Sequence, residues 1–292
     1  MSQSVSPSQL PYKLSMPSEP VSAVVFSSPH SGRTYPDSLL ARTHLSLLAL
    51  RSSEDAFVDE LFDAAPSCGA PLISARFPRA FVDLNRSADD LDPALIAGVS
   101  GKTRSPRINA GLGVIPRVVS DSRSIIHGKL SLQEAHGRIA QIHAPYHKTL
   151  NDLMYSTRLT HGTAILVDCH SMPHDALAGS PLINGVRPDI VLGDRFGASC
   201  HRWIMDAAVD IFTAAGFCVA RNAPFAGGYI TQAYGRPMQN LHTLQIEIDR
   251  SLYMDEKSIT KNADFSRLRD RLSDIVAALT QLGRETSAIA AE

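Results

Sequence analysis

Short apolar runs alternate with longer amphipathic runs along the chain. The short runs are rich in β-branched residues, which is typical of strands. Most of them lack strict alternation of apolar and polar positions, as expected for strands that are covered on both faces. We predict seven strand-like runs: 21–27, 71–77, 80–85, 163–169, 189–194, 217–222 and 241–249.

Apolar residues recur at helical spacing between these runs. We predict helices over 54–65, 131–158, 197–216 and 262–283. Pro145 should kink or split the second of them. The alternation of strands and helices predicts an α/β fold, with a mostly parallel or mixed central sheet flanked by helices.

Two regions lack this pattern. The first twenty residues are rich in Ser and Pro, and we interpret residues 1–20 as a loosely ordered arm. Residues 87–130 are rich in Gly, Ser and Arg, with weak periodicity, and we interpret them as an irregular insertion. The remainder, 21–292, is predicted to be a single α/β hydrolase domain.

The composition excludes several classes of protein. Among 292 residues, 44% are hydrophobic and the formal net charge is −1, so we expect neither a nucleic acid nor an anionic membrane as a partner. We find no run of about 18 apolar residues and therefore expect no membrane span. The four cysteines are scattered without a C-x-x-C pair, and the first twenty residues lack an apolar leader. We therefore expect a cytoplasmic protein with reduced thiols.

Polar side chains recur where the apolar runs end, and α/β sheets bind ligands beyond the carboxyl ends of their strands. His30 follows the first run, His170 follows the fourth, and Asn85 and Arg86 follow the third. Glu247 lies near the end of the last run, where a buried carboxylate must be paired or functional. Two well-separated histidines suit a zinc site whose third ligand is a carboxylate and whose fourth position is open for water.

Structural interpretations stay open for each of these residues. A lone histidine at a strand end is more often structural, and Asp83 and Asp168 could be turn formers. The acidic candidates Glu54, Asp55 and Asp59 lie at the start of a predicted helix, where carboxylates also favour the helix macrodipole. Glu247 could instead lie on a solvated strand face with Gln245 and Asp249. The G-x-S-x-G, P-loop and H-E-x-x-H motifs are all absent.

Taken in order, these residues resemble the N-formylglutamate amidohydrolase (N-formylglutamate deformylase) family, which is distantly similar to zinc carboxypeptidases and aspartoacylases. The resemblance covers about residues 22–256 and rests on SSPHSGRTYP, RAFVDLNR, PYHKTL, LVDCHS, NAPFAGGYITQAYGRP and LQIEIDRSLYMDE. It implies a zinc-carboxypeptidase-like fold and hydrolysis of an N-acyl amino acid, with N-formyl-L-glutamate the best guess. It also implies a place in histidine degradation.

The resemblance assigns roles to individual residues. The metal ligands would be His30, Asp55 and His170, holding Zn²⁺ or another divalent transition metal. Glu247 would be the general base and acid. Asp168, two residues before His170, is expected to orient its imidazole. The expected substrate contacts are Asn85, Arg86, Arg79, Gly228, Tyr229 and Thr231.

The remaining expectations concern other histidines and two positions that depart from the family pattern. We interpret His44, His136, His143 and His201 as structural and leave His147 and His174 open. Ala56 stands where the deformylases carry an aromatic residue, and Phe57 stands where they carry a histidine. These departures leave open another N-acyl amino acid or a small peptide as the substrate. A non-catalytic protein that binds a small anion is a further alternative.

Overall fold

The computed structural model describes residues 10–99 and 106–283. Its strands are β1 (Tyr12–Ser15), β2 (Val24–Ser28), β3 (Leu72–Ala75), β4 (Ile96–Ala97), β5 (Leu130–Ser131), β6 (Ala164–Met172), β7 (Ile190–Gly193), β8 (Val219–Arg221), β9 (Leu241–Asp249), β10 (Met254–Asp255) and β11 (Thr260–Lys261). Its helices are α1 (Asp37–Leu40), α2 (Leu47–Arg51), α3 (Val58–Leu61), α4 (Pro106–Asn109), α5 (Leu132–Arg138), α6 (Ala144–His161), α7 (Arg202–Ala214), α8 (Tyr229–Tyr234) and α9 (Phe265–Leu279).

Seven strands form the central sheet in the order β1-β3-β2-β6-β9-β7-β8. The neighbours β2, β6 and β9 are parallel, β7 runs antiparallel to β9, and β8 is parallel to β7. Every residue of β2, β6 and β7 is buried, which is consistent with the apolar runs in their sequences. The mixed sheet flanked by helices confirms the predicted α/β class.

Six of the seven predicted strands are present, as β2, β3, β6, β7, β8 and β9. The prediction of a strand over 80–85 is wrong, because this segment forms no ladder. The prediction of a loosely ordered arm is also wrong in part, because Tyr12–Ser15 forms the edge strand β1. Residues 1–9 of that arm lie outside the described residues.

The predicted helices are shorter than the apolar periodicity indicated. Helix α3 begins only at Val58, after Phe57 in the left-handed conformation (φ 65°). Glu54 and Asp55 therefore precede the helix, and the prediction that they lie in its first turn is wrong. The second predicted helix is split as expected. A π-helical segment, Ile139–His143, separates α5 from α6 just before Pro145.

The chain forms two compact units. One unit comprises Met1–Lys13, Pro29–Ala56 and Ser74–Thr149, and the other comprises Leu14–Ser28, Phe57–Ile73 and Leu150–Glu292. In the second unit, α9 packs against α3 and α7. A single domain over 21–292 stays a prediction.

The predicted insertion carries only short elements. Strand β4, helix α4 and the first residue of β5 lie within residues 87–130, and residues 100–105 are outside the described part of the chain. None of the described helices combines the length and the apolarity needed to cross a membrane. The cytoplasmic location stays a prediction.

The glycine after His30 is required by close backbone packing. A Cβ atom on Gly32 would lie 2.1 Å from the carbonyl oxygen of Phe77 and 2.5 Å from its carbonyl carbon. We predict that Gly32→Ala lowers the free energy of unfolding by at least about 2 kcal/mol, as overpacking against an unyielding neighbour does.

Urea denaturation measures this effect, with Gly137→Ala in helix α5 as the control. Nothing lies within 4 Å of a Cβ atom at Gly137, so the control should gain up to about 1 kcal/mol from helix propensity. A Gly32→Ala protein as stable as the wild type would contradict the packing described above.

Candidate metal centre and active site

His30 lies two residues beyond the end of β2 and is held between two carboxylates. Its Nε2 atom is 2.7 Å from Oδ1 of Asp83, and its Nδ1 atom is 3.4 Å from Oδ2 of Asp55. The backbone N–H of Asp55 donates to the carbonyl oxygen of His30 at 3.1 Å, which holds the two residues together. When Nε2–H donates to Asp83, the Nδ1 lone pair faces a carboxylate oxygen, and these two acceptors repel unless a cation or a proton lies between them. The arrangement therefore fits a metal ion.

His170, on strand β6, also has a carboxylate beside one ring nitrogen. Its Nε2 atom is 2.9 Å from Oδ2 of Asp168, which is fully buried. Ser27 on the neighbouring strand donates to the other oxygen of Asp168 at 3.4 Å. A carboxylate on one ring nitrogen orients a metal-binding histidine and leaves its other nitrogen as the ligand atom. The hydrogen bond expected from the D-x-H spacing is present, while the role of Asp168 stays a prediction.

A possible metal-binding group follows from these two arrangements. Within the described residues, the ligand atoms of His30, Asp55 and His170 lie within 4.8 Å of one another, and all three residues are buried. The sheet register contributes to this, because β2 and β6 are parallel with Ser27 opposite Asp168. Two imidazole nitrogens and one carboxylate oxygen suit zinc and several other divalent transition metals. The group could therefore bind a metal.

Glu54, the other acid considered for this site, has different partners. Its Oε1 atom accepts a hydrogen bond from the Tyr35 hydroxyl at 2.7 Å, and Arg51 Nε lies 3.1 Å from Oε2. Burial raises the pKa of Glu54, although Tyr35 and Arg51 partly oppose this shift. Of the two acids, the geometry favours Asp55 as the donor to a metal.

Glu247 lies directly opposite His170 in the register of β6 and β9. Paired residues on neighbouring strands point to the same face of a sheet, so the carboxylate projects beside this imidazole. Glu247 is 9% exposed, and β9 lies inside the sheet, which excludes the solvated strand face. Gln245 Nε2 donates to Oε1 of Glu247 at 3.0 Å and restricts its orientation. The role of Gln245 was missed, although its place on the same face of the strand was evident from the alternation.

Asp83 is the residue that the sequence prediction missed most clearly. Burial alone would raise the pKa of Asp83, but Arg79, His30 and Arg86 hold it well below its usual range. Arg79 Nη2 donates to Asp83 at 2.7 Å, so this arginine neutralises Asp83. Its predicted contact with substrate stays a prediction. A signal did exist, because Asp83 interrupts an apolar run with the same Val-Asp pair that precedes His170 by one residue.

Arg86 is 8% exposed, and part of its guanidinium is hydrogen-bonded to the backbone. Its Nη1 atom donates to the carbonyl oxygen of Asn85 at 2.7 Å, and its Nε atom donates to that of Leu112 at 3.0 Å. Within the described chain, Nη2 makes no hydrogen bond, so this edge of the guanidinium can bind a carboxylate. The backbone N–H of Asn85 donates to Oδ1 of Asp83 at 2.8 Å. The substrate contacts predicted for Asn85 and Arg86 stay predictions.

The glycine-rich loop leads into helix α8, which packs against β9 and β6. Gly227 has φ 128°, and a Cβ atom there would lie 2.4 Å from the Thr231 hydroxyl. That hydroxyl donates to the carbonyl oxygen of Gly228 at 2.8 Å and closes the first turn of the helix. The substrate contacts predicted for Gly228, Tyr229 and Thr231 stay predictions.

Tyr234, at the end of α8, was not predicted to be part of the site. Burial, followed by nearby Tyr229 and Asp168, raises the pKa of the Tyr234 phenol. The phenol therefore stays protonated, and it lies near enough to Asp168 to be influenced by that carboxylate. The sequence gave no signal that Tyr234 lies near Asp168, because their separation depends on how α8 packs on the sheet.

Comparison with known proteins identifies the family. A family model described as N-formylglutamate amidohydrolase matches residues 22–254. An N-formylglutamate deformylase of Pseudomonas aeruginosa is 29% identical over 271 residues, covering 90% of this chain and 94% of that protein. An N-formylglutamate deformylase of Pseudomonas putida is 30% identical over 240 residues, covering 80% of this chain and 82% of that protein.

Solved structures agree with this comparison. The crystal structure of N-formylglutamate amidohydrolase from Ralstonia eutropha has a TM-score of 0.89 and 32% identity, covering 95% of this chain and all of that chain (100%). A gene product of Agrobacterium tumefaciens shares the fold at 17% identity, with a TM-score of 0.62 and 97% of each chain covered. With the family model matching most of its length, the chain belongs to the N-formylglutamate amidohydrolase family.

Proposed function

We propose that this chain is a zinc-dependent amidohydrolase that converts N-formyl-L-glutamate to formate and L-glutamate. The observation that carries the proposal is the buried group of His30, Asp55 and His170, which could bind a metal, with Glu247 opposite His170. The deformylase relatives in two Pseudomonas species support the choice of substrate. Action in the cytoplasm as part of histidine degradation belongs to the same proposal and rests on the resemblance.

In this proposal, His30, Asp55 and His170 hold the metal. Asp83 and Asp168 keep the Nε2 atoms of the two histidines protonated, so that both Nδ1 atoms can donate electron pairs. Bound zinc would supply a Lewis acid for the formyl oxygen and a lowered pKa, about 7, for a water molecule. Three protein ligands leave one position open for this chemistry.

Glu247 moves the protons of the reaction. Its carboxylate accepts a proton from the water that attacks the formyl carbon, and a new C–O bond forms. It then donates that proton to the amide nitrogen while the C–N bond breaks, which releases formate and the amino group of glutamate. Gln245 holds the carboxylate through Oε1 and keeps it aimed along its strand face.

Arg86 provides a binding group for a carboxylate of the substrate. In this proposal the unoccupied Nη2 edge binds one carboxylate of N-formyl-L-glutamate, with Asn85 beside it. A guanidinium that is mostly removed from water binds a carboxylate more strongly than an exposed one does. The positive charge of Arg86 therefore favours acidic N-acyl amino acids over neutral ones.

We predict that Glu247→Gln lowers kcat for N-formyl-L-glutamate by at least about 100-fold, the lower bound for loss of a general acid–base. The amide keeps the shape of the side chain but cannot take up the proton. Turnover and metal content should be measured together, with Glu60→Gln as the control. Glu60 pairs with Lys261, and both side chains are partly exposed to solvent, so loss of the Glu60 carboxylate should leave turnover unchanged. Near-normal turnover of Glu247→Gln with metal bound would exclude this mechanism.

The neighbouring acids Asp55 and Glu54 offer a matched test of the metal ligands. Loss of a residue that only supports a metal ligand lowers metal affinity by about 10- to 100-fold. We predict a larger loss of zinc affinity for Asp55→Asn, because Asp55 would be a ligand itself. Glu54→Gln should retain one zinc per chain, because its partners are Tyr35 and Arg51. Competition with a chromophoric chelator measures both affinities. The reverse order, with Glu54→Gln the weaker binder, would make Glu54 the ligand instead.

A further inference from the structure

The segment 83–86 presents Asp83 to His30 and also carries Asn85 and Arg86, yet it lies in no strand. Its N–H groups donate to neighbours: Asp83 to the carbonyl oxygen of Val114 at 2.8 Å, and Asn85 to the side chain of Asp83 at 2.8 Å. The carbonyl oxygens of Leu84 and Arg86 remain to be accounted for. In a buried segment without a ladder, such groups need side-chain donors.

Two histidines supply those donors. His147 Nε2 lies 2.8 Å from the carbonyl oxygen of Leu84, and His143 Nε2 lies 2.9 Å from that of Arg86. The two histidines are four residues apart, so they lie on one helix face, and their ring centroids are 4.1 Å apart. His143 closes the π-helical segment Ile139–His143, and such segments are frequent at functional sites.

Both imidazoles are kept neutral by their surroundings. Burial lowers the pKa of His143, and burial, followed by the electrostatic effect of neighbouring His143, lowers the pKa of His147 to about 3. A carbonyl oxygen can only accept, so each Nε2 atom must carry its hydrogen. The pair therefore donates to the segment throughout the neutral pH range.

We propose that His143 and His147 are positioning residues, which hold the segment 83–86 so that Asp83 faces His30 and Arg86 faces the substrate. This inference rests on the proposed function. The proposed role differs from a purely structural one, because each histidine holds a different functional group of the site. His143 anchors the carbonyl of Arg86, the substrate-binding residue, and His147 anchors the carbonyl of Leu84, which directly follows Asp83.

The two histidines should therefore have separable effects. His143→Leu should raise KM for N-formyl-L-glutamate by about 10-fold or more, and His147→Leu should lower kcat and zinc affinity by a similar factor, the size expected when one buried hydrogen bond is lost. The Gln variants test rescue, because the Gln amide nitrogen reaches as far as Nε2 and also donates. Asn is one carbon shorter and should fail to rescue.

The control lies on the same helix. Thr149→Val removes a 2.6 Å hydrogen bond between Thr149 and the Tyr12 hydroxyl without touching the segment 83–86. It should lower stability while leaving KM, kcat and zinc affinity unchanged. In a double-mutant cycle, the effects of His143→Leu and Arg86→Met on KM should not add, because both act through the same guanidinium. Additive effects would indicate a general loss of stability and would overturn the proposal.

The wild-type protein provides a test that does not depend on variants folding. Nitrogen-15 NMR of the imidazoles should show both rings as Nε2–H tautomers at neutral pH, and His147 should not titrate between about pH 5 and 8. Either ring in the Nδ1–H tautomer at neutral pH, or titration of His147 in that range, would overturn the proposal. If the wild type does not hydrolyse N-formyl-L-glutamate, the proposed function fails and this inference with it. If the wild type is active and the Leu variants match it, the inference alone fails.

Discussion

Asp83 and Asp168 each accept a hydrogen bond from the Nε2 atom of a histidine, and the rest of the site depends on this pair of bonds. In the proposed site they fix both imidazoles in the tautomer whose Nδ1 atom carries a lone pair. Asp83 stays ionised while buried, which is costly without compensating charge. At Asp83 the compensation comes from Arg79 and Arg86, which explains why a buried acid keeps a pKa well below its usual range.

The register of the sheet brings together the residues to which the proposed function assigns roles. Because β6 and β9 are parallel and in step, Asp168 pairs with Gln245 and His170 pairs with Glu247. Each polar residue of one strand therefore faces a polar residue of the next. Within each strand the two polar side chains are also hydrogen-bonded, His170 to Asp168 on β6 and Gln245 to Glu247 on β9. This arrangement satisfies buried polar groups in the middle of an otherwise apolar sheet. A shift of β9 by one residue would turn Gln245 and Glu247 to the opposite face of the sheet.

How much of this structure can be predicted from the sequence depends on how far apart along the chain the interacting residues lie. The strands β2, β6 and β9, and with them His30, His170 and Glu247, are evident from apolar runs and their ends. The prediction of a strand over 80–85 is wrong because the composition suits a strand, whereas the carbonyl oxygens of Leu84 and neighbouring Arg86 bind histidines 63 and 57 residues away along the chain. The choice between Glu54 and Asp55 also depends on tertiary partners, since both acids precede α3.

The measurement that tests this account most directly is hydrolysis of N-formyl-L-glutamate by the metal-free protein as zinc is added, with N-acetyl- and N-succinyl-L-glutamate in parallel. The account predicts no turnover without metal, a rate that rises until about one equivalent of zinc is bound, and a preference for the formyl substrate. Full activity in the metal-free protein would contradict the role given to His30, Asp55 and His170. A preference for a larger acyl group would contradict the substrate.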